Sequence, residues 1–405
     1  MRALDRDGDR CDLIWRGTRW DEMVRTRAAR RFLRVSHRTA PDLDAFGAAV
    51  LGRATGGDYD VLIPLSDWET RLVAAHAADI GARVAHLTPA LAAFDLANDK
   101  AATMAHARQI GIATPQVWSW PDAPDLDSLP EDVRFPVVVK ARLGAGAGRG
   151  VRYAMDRSRL RQAYLDIESS AAVLPTEDFT RPMIMEFIPG FVHDACAVAK
   201  GGEVVTVLTQ VRQLMNPITG GVGAVTVTTD EPELRDMAGA LLESLDWTGP
   251  AQVECKYDPR DGQYKLIELN PRLWGTLDTS IRAGMAVPAQ IRDLALDRPV
   301  RPDRPYQVGL RYVFPSRAAG AYGQLVRAHG LGALRDGRTY AATTCGLDRS
   351  DPVPGAWELL STTAGLARGA VNRLRRRLGG ASSLPATGST PRLAEDLVNT
   401  LDRSG

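Results

Sequence analysis

The stretch from Gln252 to Arg272 reads as two strands joined by a tight loop, because Asp258-Pro-Arg-Asp-Gly262 gathers turn-forming residues between two alternating segments. In the second segment the period of two places Ile267 and Leu269 on one face and Glu268 and Asn270 on the other. With Asp261 at the middle of the loop, Glu254 falls directly opposite Glu268. Two carboxylates and an amide oxygen then share one face, with Arg272 just beyond. Like charges in register destabilise a sheet, which calls for a positive group between them. Oxygen-only donors suit a hard cation such as magnesium better than zinc. Taken alone, the same pattern also describes a solvated polar face, so the rest of the chain decides.

A chain of 405 residues exceeds what a single core supports, and two or three domains are expected. Its 44% apolar and 24% charged residues are ordinary for a globular enzyme. The net charge of +1 argues against a dedicated nucleic-acid binder. Cys11, Cys196, Cys255 and Cys345 lie far apart with no C-x-x-C pair. They fit a reducing cytoplasm rather than a disulfide framework or a zinc site. No apolar run is long enough to span a bilayer, and the acidic, arginine-rich start does not read as a signal peptide.

Residues 1–115 alternate strand and helix patterns, as in a small doubly wound α/β domain. Cys11–Trp15, Arg31–Val35, Asp60–Leu65 and Arg83–Leu87 are strand-like; Thr70–Ile80 and the stretch after Asn98-Asp-Lys100 to Gln109 are helical. A proline-marked boundary (Pro115, Pro121, Pro124, Pro130) leads to α+β segments over 116–182 and 183–300. The first holds the strand Phe135–Lys140 and a helix from Ser158, a capping residue, to Ile167. The second opens with the strand Met183–Ile188 and a hairpin turning at Gly201-Gly202. A C-terminal extension is expected over 301–362, then a basic helix (Leu366–Leu378) and a Gly/Ser/Pro-rich tail over 363–405. The basic run reads as a solvated face, and Leu384-Pro-Ala-Thr-Gly388, though it spells a sortase signal, lacks the apolar span such anchoring needs.

Ala141-Arg-Leu-Gly-Ala-Gly-Ala-Gly-Arg-Gly150 is a glycine loop, and such loops let backbone N–H groups approach phosphates closely. It lacks a Walker-type G-x-x-x-x-G-K-[ST], and it leads into Val151-Arg-Tyr-Ala154, a strand, where a dinucleotide fingerprint would open a helix. It is therefore a flap between two antiparallel strands, with Lys140 at its root.

These pieces, in this order, resemble the ATP-grasp superfamily. The motifs are Pro136-Val-Val-Val-Lys140 with its flap, Glu186-Phe-Ile-Pro-Gly190, and Glu254 with Glu268-Leu-Asn-Pro-Arg272, covering about residues 60–290. The resemblance implies an ATP-grasp fold in which two α+β subdomains clamp ATP. It implies phosphate contacts from Lys140 and Lys100, and a flap closing through Gly146 and Gly148. Glu186, Phe187 and Ile188 fall at the adenine-contacting linker, and either His193 or Asp194 at the ribose ligand. Glu254, Glu268 and Asn270 match the ligands of two magnesium ions, with manganese as an alternative. Gln210-Val-Arg212 with Thr219-Gly-Gly221, Asn270–Gly275 and Ser350-Asp-Pro-Val-Pro354 resemble the single-core carboxylate–amine ligases; carbamoyl phosphate synthetases share Asn-Pro-Arg but use two tandem cores. Against the family pattern, Arg2-Ala-Leu reads like the first helix, so a first strand and glycine turn are missed before it.

The expected chemistry is phosphorylation of a substrate carboxylate by ATP, then attack on the acyl phosphate by an amine. Arg272 would steady the transferring group and Arg212 would grip the acceptor carboxylate. Small-molecule carboxylate and amine partners are expected, with no nucleic acid and no membrane span; a homodimer is left open. The rival readings are another acceptor, release of the acyl phosphate, or a non-catalytic nucleotide-binding regulator.

Overall fold

The computed structural model describes residues 1–15, 25–35, 43–118, 126–144, 150–170, 176–300, 305–332, 344–345, 348–358 and 360. The flap residues Gly146 and Gly148, the basic segment after 365 and the tail lie outside the described residues.

The N-terminal unit contains α1 (Arg2–Arg6), β1 (Asp12–Trp15), β2 (Arg31–Arg34), α2 (Leu43–Gly56), β3 (Val61–Leu62), α3 (Asp67–Ala75), α4 (Ala77–Gly81), β4 (Ala85–His86), α5 (Leu91–Asn98) and α6 (Lys100–Gln109). Both of its strand pairs, β1–β2 and β3–β4, are parallel, as an α/β unit requires. Val50, Phe46 and Trp68 form one apolar cluster between α2 and α3, with the two rings stacked 5.2 Å apart. The helix expected over 70–80 is broken at His76 into α3 and α4. Helix α6 starts at Lys100 because the Asp99 side chain accepts from the backbone N–H groups of Ala101 and Ala102.

The next body is a four-stranded antiparallel sheet of β5 (Val117–Trp118), β6 (Val137–Lys140), β7 (Val151–Ala154) and β8 (Met183–Glu186), in the order β5-β8-β6-β7. Its alternating side chains are divided between two surroundings. Val137, Val139 and Ile184 pack under α7 (Arg157–Glu168), while Val138, Met183 and Met185 face the other way. Helix α7 is capped by Asp156, not Ser158: the Asp156 carboxylate accepts from Arg159 N–H and from the Ser158 hydroxyl. Since β8 pairs with β5 and β6, the division placed before residue 183 is corrected to fall after Glu186.

The third body is a seven-stranded sheet in the order β13-β12-β9-β10-β11-β14-β15. Its elements are β9 (Val192–Lys200), β10 (Glu203–Asn216), β11 (Val222–Thr229), α8 (Pro232–Ser244), β12 (Gly249–Asp258), β13 (Gln263–Asn270), α9 (Leu277–Arg282), α10 (Val287–Ala295), β14 (Arg311–Val313), α11 (Pro315–His329) and β15 (Thr344–Cys345). One face carries α8 over Trp247, Ala251 and Val253, and the other carries α10 over Cys196, Val198 and Leu208. Because β14 pairs with β11, the region expected as a separate extension from 301 instead continues this sheet. Among the described residues, no helix is long and apolar enough to cross a membrane.

Candidate functional site

Strands β12 and β13 form the hairpin, with Gln252 opposite Asn270 and Glu254 opposite Glu268. The register then shifts: Cys255 pairs with Leu266, leaving Ile267 as the extra residue of a bulge. Ile267 therefore packs beside Val138, Met185 and Val192, whereas Leu266 and Leu269 enter the core under α8. The expectation that Ile267 shares a face with Leu269 is corrected by that bulge.

The hairpin's polar face and the inner face of the four-stranded sheet enclose a cavity of about 210 Å³. Lys140 enters it from β6, Phe187 and Ile188 from the linker after β8, and Glu254, Glu268 and Asn270 from the hairpin. Cations from separate elements converge on Glu268. Lys140 Nζ lies 2.7 Å from Oε2, and Lys100 Nζ, from the start of α6, lies 3.2 Å from Oε1. Burial alone would raise the Glu268 carboxyl, but the two ammonium groups hold it down at about 2. Lys100 is only 3% exposed, and burial lowers its own pKa against the opposing pull of Glu268. It is further fixed by donating to the Gly144 carbonyl at 2.7 Å.

Glu254 is held differently. Burial raises its carboxyl, and Arg212, whose Nη2 lies 2.5 Å from Oε1, opposes that rise. Asn270 Nδ2 donates to the same carboxylate at 2.8 Å, and Arg272 Nη2 donates to Asn270 Oδ1 at 3.0 Å. Arg272 is tied to the N-terminal unit as well, with Nε 3.0 Å from Asp67 Oδ1 on α3. A second, smaller polar cavity lies there, lined by Asp67, Lys100, Glu268, Asn270 and Arg272.

Several expected roles are not carried by this geometry. His193 pairs with Cys255 and turns to the α8 side, edge-on against Tyr264, so it does not reach the cavity. Burial lowers its pKa to about 4. Asp194 is fully buried, its oxygens taken by Arg212 and Gln210. Neither is placed to meet a ribose. Arg212 is corrected too: its Nε and Nη2 bind Asp194, Nη2 also meets Glu254, and Nη1 reaches the Gly221 carbonyl. It clamps Glu254 instead of offering an open fork to a substrate carboxylate. The Glu186 side chain turns outward to Arg260 Nη2 at 2.6 Å and the Gln116 N–H, so only its backbone belongs to the linker.

Sequence reasoning passed over Asp67 and Lys256. Lys256 follows Glu254 by two residues in β12 and lines the same cavity, so the strand period alone would have found it. Asp67 carries no local signal, because it reaches Arg272 only through tertiary packing.

The donor set fits a hard divalent cation. Two carboxylates and an amide oxygen gather on one face; among the described residues no group of three or more His, Cys, Asp or Glu side chains, here or elsewhere, is placed to hold a metal ion. Lys100, Lys140 and Arg212 balance those carboxylates, while Arg272 binds the Asn270 amide oxygen beside them.

Residues 178–314 match the family model described as ATP-grasp in the biosynthetic pathway with Ter operon. A D-aspartate ligase of Enterococcus faecium is 58% identical over 33 residues, 8% of each chain. The arginine-specific large chain of carbamoyl phosphate synthase from Lactiplantibacillus plantarum is 25% identical over 227 residues, 53% of this chain and 22% of that one. The chain thus spans less than a quarter of the length of either curated relative. Among solved structures, a Campylobacter jejuni biotin carboxylase–β,γ-ATP complex superposes with a TM-score of 0.63 at 16% identity, covering 76% of this chain and 70% of that one. That likeness shows the fold.

Proposed function

We propose, from its place in the ATP-grasp superfamily and from the cradle around Glu268, that this chain is an ATP- and magnesium-dependent carboxylate–amine ligase. The observation that carries the reading is the convergence of Lys100 and Lys140 on Glu268 at the junction of two sheets, beside Glu254 and Asn270. It supplies both the cations a triphosphate needs and the oxygens a metal needs. The similarity to a D-aspartate ligase and a carbamoyl phosphate synthase supports C–N bond formation as the outcome.

Phosphoryl transfer demands positioned positive charge more than covalent help from the protein. Magnesium bound at Glu254, Glu268 and Asn270 would supply charge neutralisation at the phosphate oxygens. Lys100 and Lys140 are held by a carboxylate whose charge a metal would share, which leaves their donors for phosphate oxygens. A substrate carboxylate oxygen attacks the γ-phosphorus, the bond to the β-phosphate oxygen breaks, and ADP leaves with that electron pair. The amine nitrogen then attacks the acyl carbon, phosphate leaves with its bonding electrons, and the amine gives up a proton. Arg272, anchored by Asp67 and Asn270, stands where both cavities meet and would steady the transferring group. Small carboxylates and amines are the substrates, and the free thiols of Cys11, Cys196 and Cys255 suit the cytoplasm.

The test is an ADP-release screen of amino acids and small carboxylates with magnesium and ATP, read by mass spectrometry for a joined product. The proposal expects ADP formation that requires both substrates and yields an amide. ADP formation with one substrate alone, leaving an acyl phosphate or an ester, would overturn it.

A further inference from the structure

The amine of the proposed reaction has no partner in the protein so far, and one buried oxygen beside the site has no hydrogen bond. Asp67 opens α3, and its Oδ1 is buried without a donor among the described residues. Arg272 Nε lies 3.0 Å away, close enough to pair charges, but its N–H is not directed at that oxygen. A buried carboxylate oxygen in that state is costly, and a donor would relieve it. The neighbouring nitrogens turn elsewhere. Lys100 Nζ serves Glu268 and the Gly144 carbonyl, and Asn98 Nδ2 serves the Thr176 carbonyl. Arg272 Nη1 and Nη2 serve the Leu273 carbonyl and Asn270 Oδ1.

Asp67 lines the smaller cavity, whose volume is about 10 Å³. That is room for one water-sized group, the size of an amino head. Glu268, Asn270 and Arg272 line both cavities, so the small one shares a wall with the large one at the arginine that would steady the phosphoryl group. Asp67 and Glu268 against Lys100 and Arg272 leave the small cavity without net charge. A phosphorylated substrate alongside makes it negative, which suits a cation. Among the described residues, the carboxylates lining either cavity are Glu254, Glu268 and Asp67, and the first two belong to the proposed metal site. Glu69, the other acid of the first turn of α3, lines neither. We propose that Asp67 binds the acceptor, and that the acceptor is a primary amine taken up as its ammonium ion, donating an N–H to Oδ1. This rests on the ligase reading above and adds the charge of the amine and its place.

The experiment uses the full chain with Mg-ATP and the carboxylate found in the ADP-release screen. Two acceptors are compared: the amine found there, and hydroxylamine, which is uncharged at neutral pH. In Asp67→Asn an oxygen remains beside Arg272, which Asn270 and the Leu273 carbonyl continue to hold, so carboxylate phosphorylation should persist. A hydrogen bond to a charged group is worth about tenfold or more. Asp67→Asn should therefore raise KM for the amine about tenfold or more, while KM for the carboxylate and hydroxamate formation change less than about threefold. A variant, folded by its melting profile, that loses both acceptors equally overturns the assignment. So does one that keeps the wild-type KM for the amine. The wild type alone gives a second check, through the alcohol isostere of the amine, which carries no charge. That alcohol should compete with the amine at least about tenfold more weakly than a second amine does, and equal competition overturns the assignment. A wild type that joins no carboxylate to any amine overturns the ligase reading itself, and the assignment with it.

Discussion

Glu268 shows how one residue can hold a site together and also be hard to test. It is the counter-ion of Lys100, 3% exposed, and of Lys140, 8% exposed. Removing one partner of a buried ion pair costs about 3–5 kcal/mol, because the other charge is left without compensation. Glu268→Gln should thus lower unfolding stability by that order and remove ATP-dependent product formation, about a hundredfold or more. Denaturant melts and ADP release read the two effects separately; a folded variant with full turnover would refute the role. His193 gives a second prediction, and the sign can be worked out. Burial holds its folded pKa near 4, below the ordinary 6.5. Between those values the unfolded chain binds the extra proton, so stability is fully present above pH 6.5 and falls as pH drops toward 4. The slope is about 1.4 kcal/mol per pH unit at most. His193→Phe, which keeps a ring against Tyr264, should flatten that fall in urea melts taken across the window. An unchanged slope would show that His193 is not its source. The pairing of Glu254 with Glu268 agrees with the expected register only because the bulge at Ile267 makes up for a loop centred between Arg260 and Asp261 instead of on Asp261. The place of Ile267 was not legible, because a bulge is a backbone event that leaves no mark in an apolar–polar pattern.

At the scale of elements, the linker after β8 must pass close to β12. A Cβ added at Gly190 would lie 1.8 Å from the Tyr257 carbonyl oxygen, a backbone atom that cannot swing aside. Gly190→Ala should push the linker off β12, destabilising the chain by about 1–3 kcal/mol. It should also weaken Mg-ADP binding, since Phe187 and Ile188 line the cavity. Calorimetry on the folded variant checks this, and unaltered affinity would contradict it. The start of α6 was readable from Asn98-Asp-Lys100, because an aspartate cap acts locally. That cap also takes Arg142 Nε, which ties the lysine-bearing helix to the strand-end beside the flap. The end of the first α+β body was misplaced for the opposite reason. Met183–Glu186 looks the same whether it pairs with β6 or opens the next sheet, and only pairing over long sequence separation decides.

In the whole molecule, the site is assembled from bodies that the motifs describe one at a time. Asp67 of the N-terminal unit holds Arg272 of the hairpin, and Asp351, in the late Ser350-Asp-Pro-Val-Pro354 motif, accepts from the Thr26 hydroxyl at 2.5 Å. These links join residues far apart in the sequence, and none could be read from spacing. A ligand that bridges the bodies should stabilise them together. Mg-ADP at a hundred times its Kd should add about 2.7 kcal/mol, seen as a raised melting temperature, and should add far less in Glu268→Gln. The central claim is that a substrate carboxylate is activated by phosphorylation. Its most direct test follows oxygen: the carboxylate found in the ADP-release screen is labelled with ¹⁸O and the released phosphate is weighed by mass spectrometry. An acyl phosphate intermediate predicts one ¹⁸O in each phosphate formed. Phosphate that carries no label, while the joined product accumulates, would contradict it.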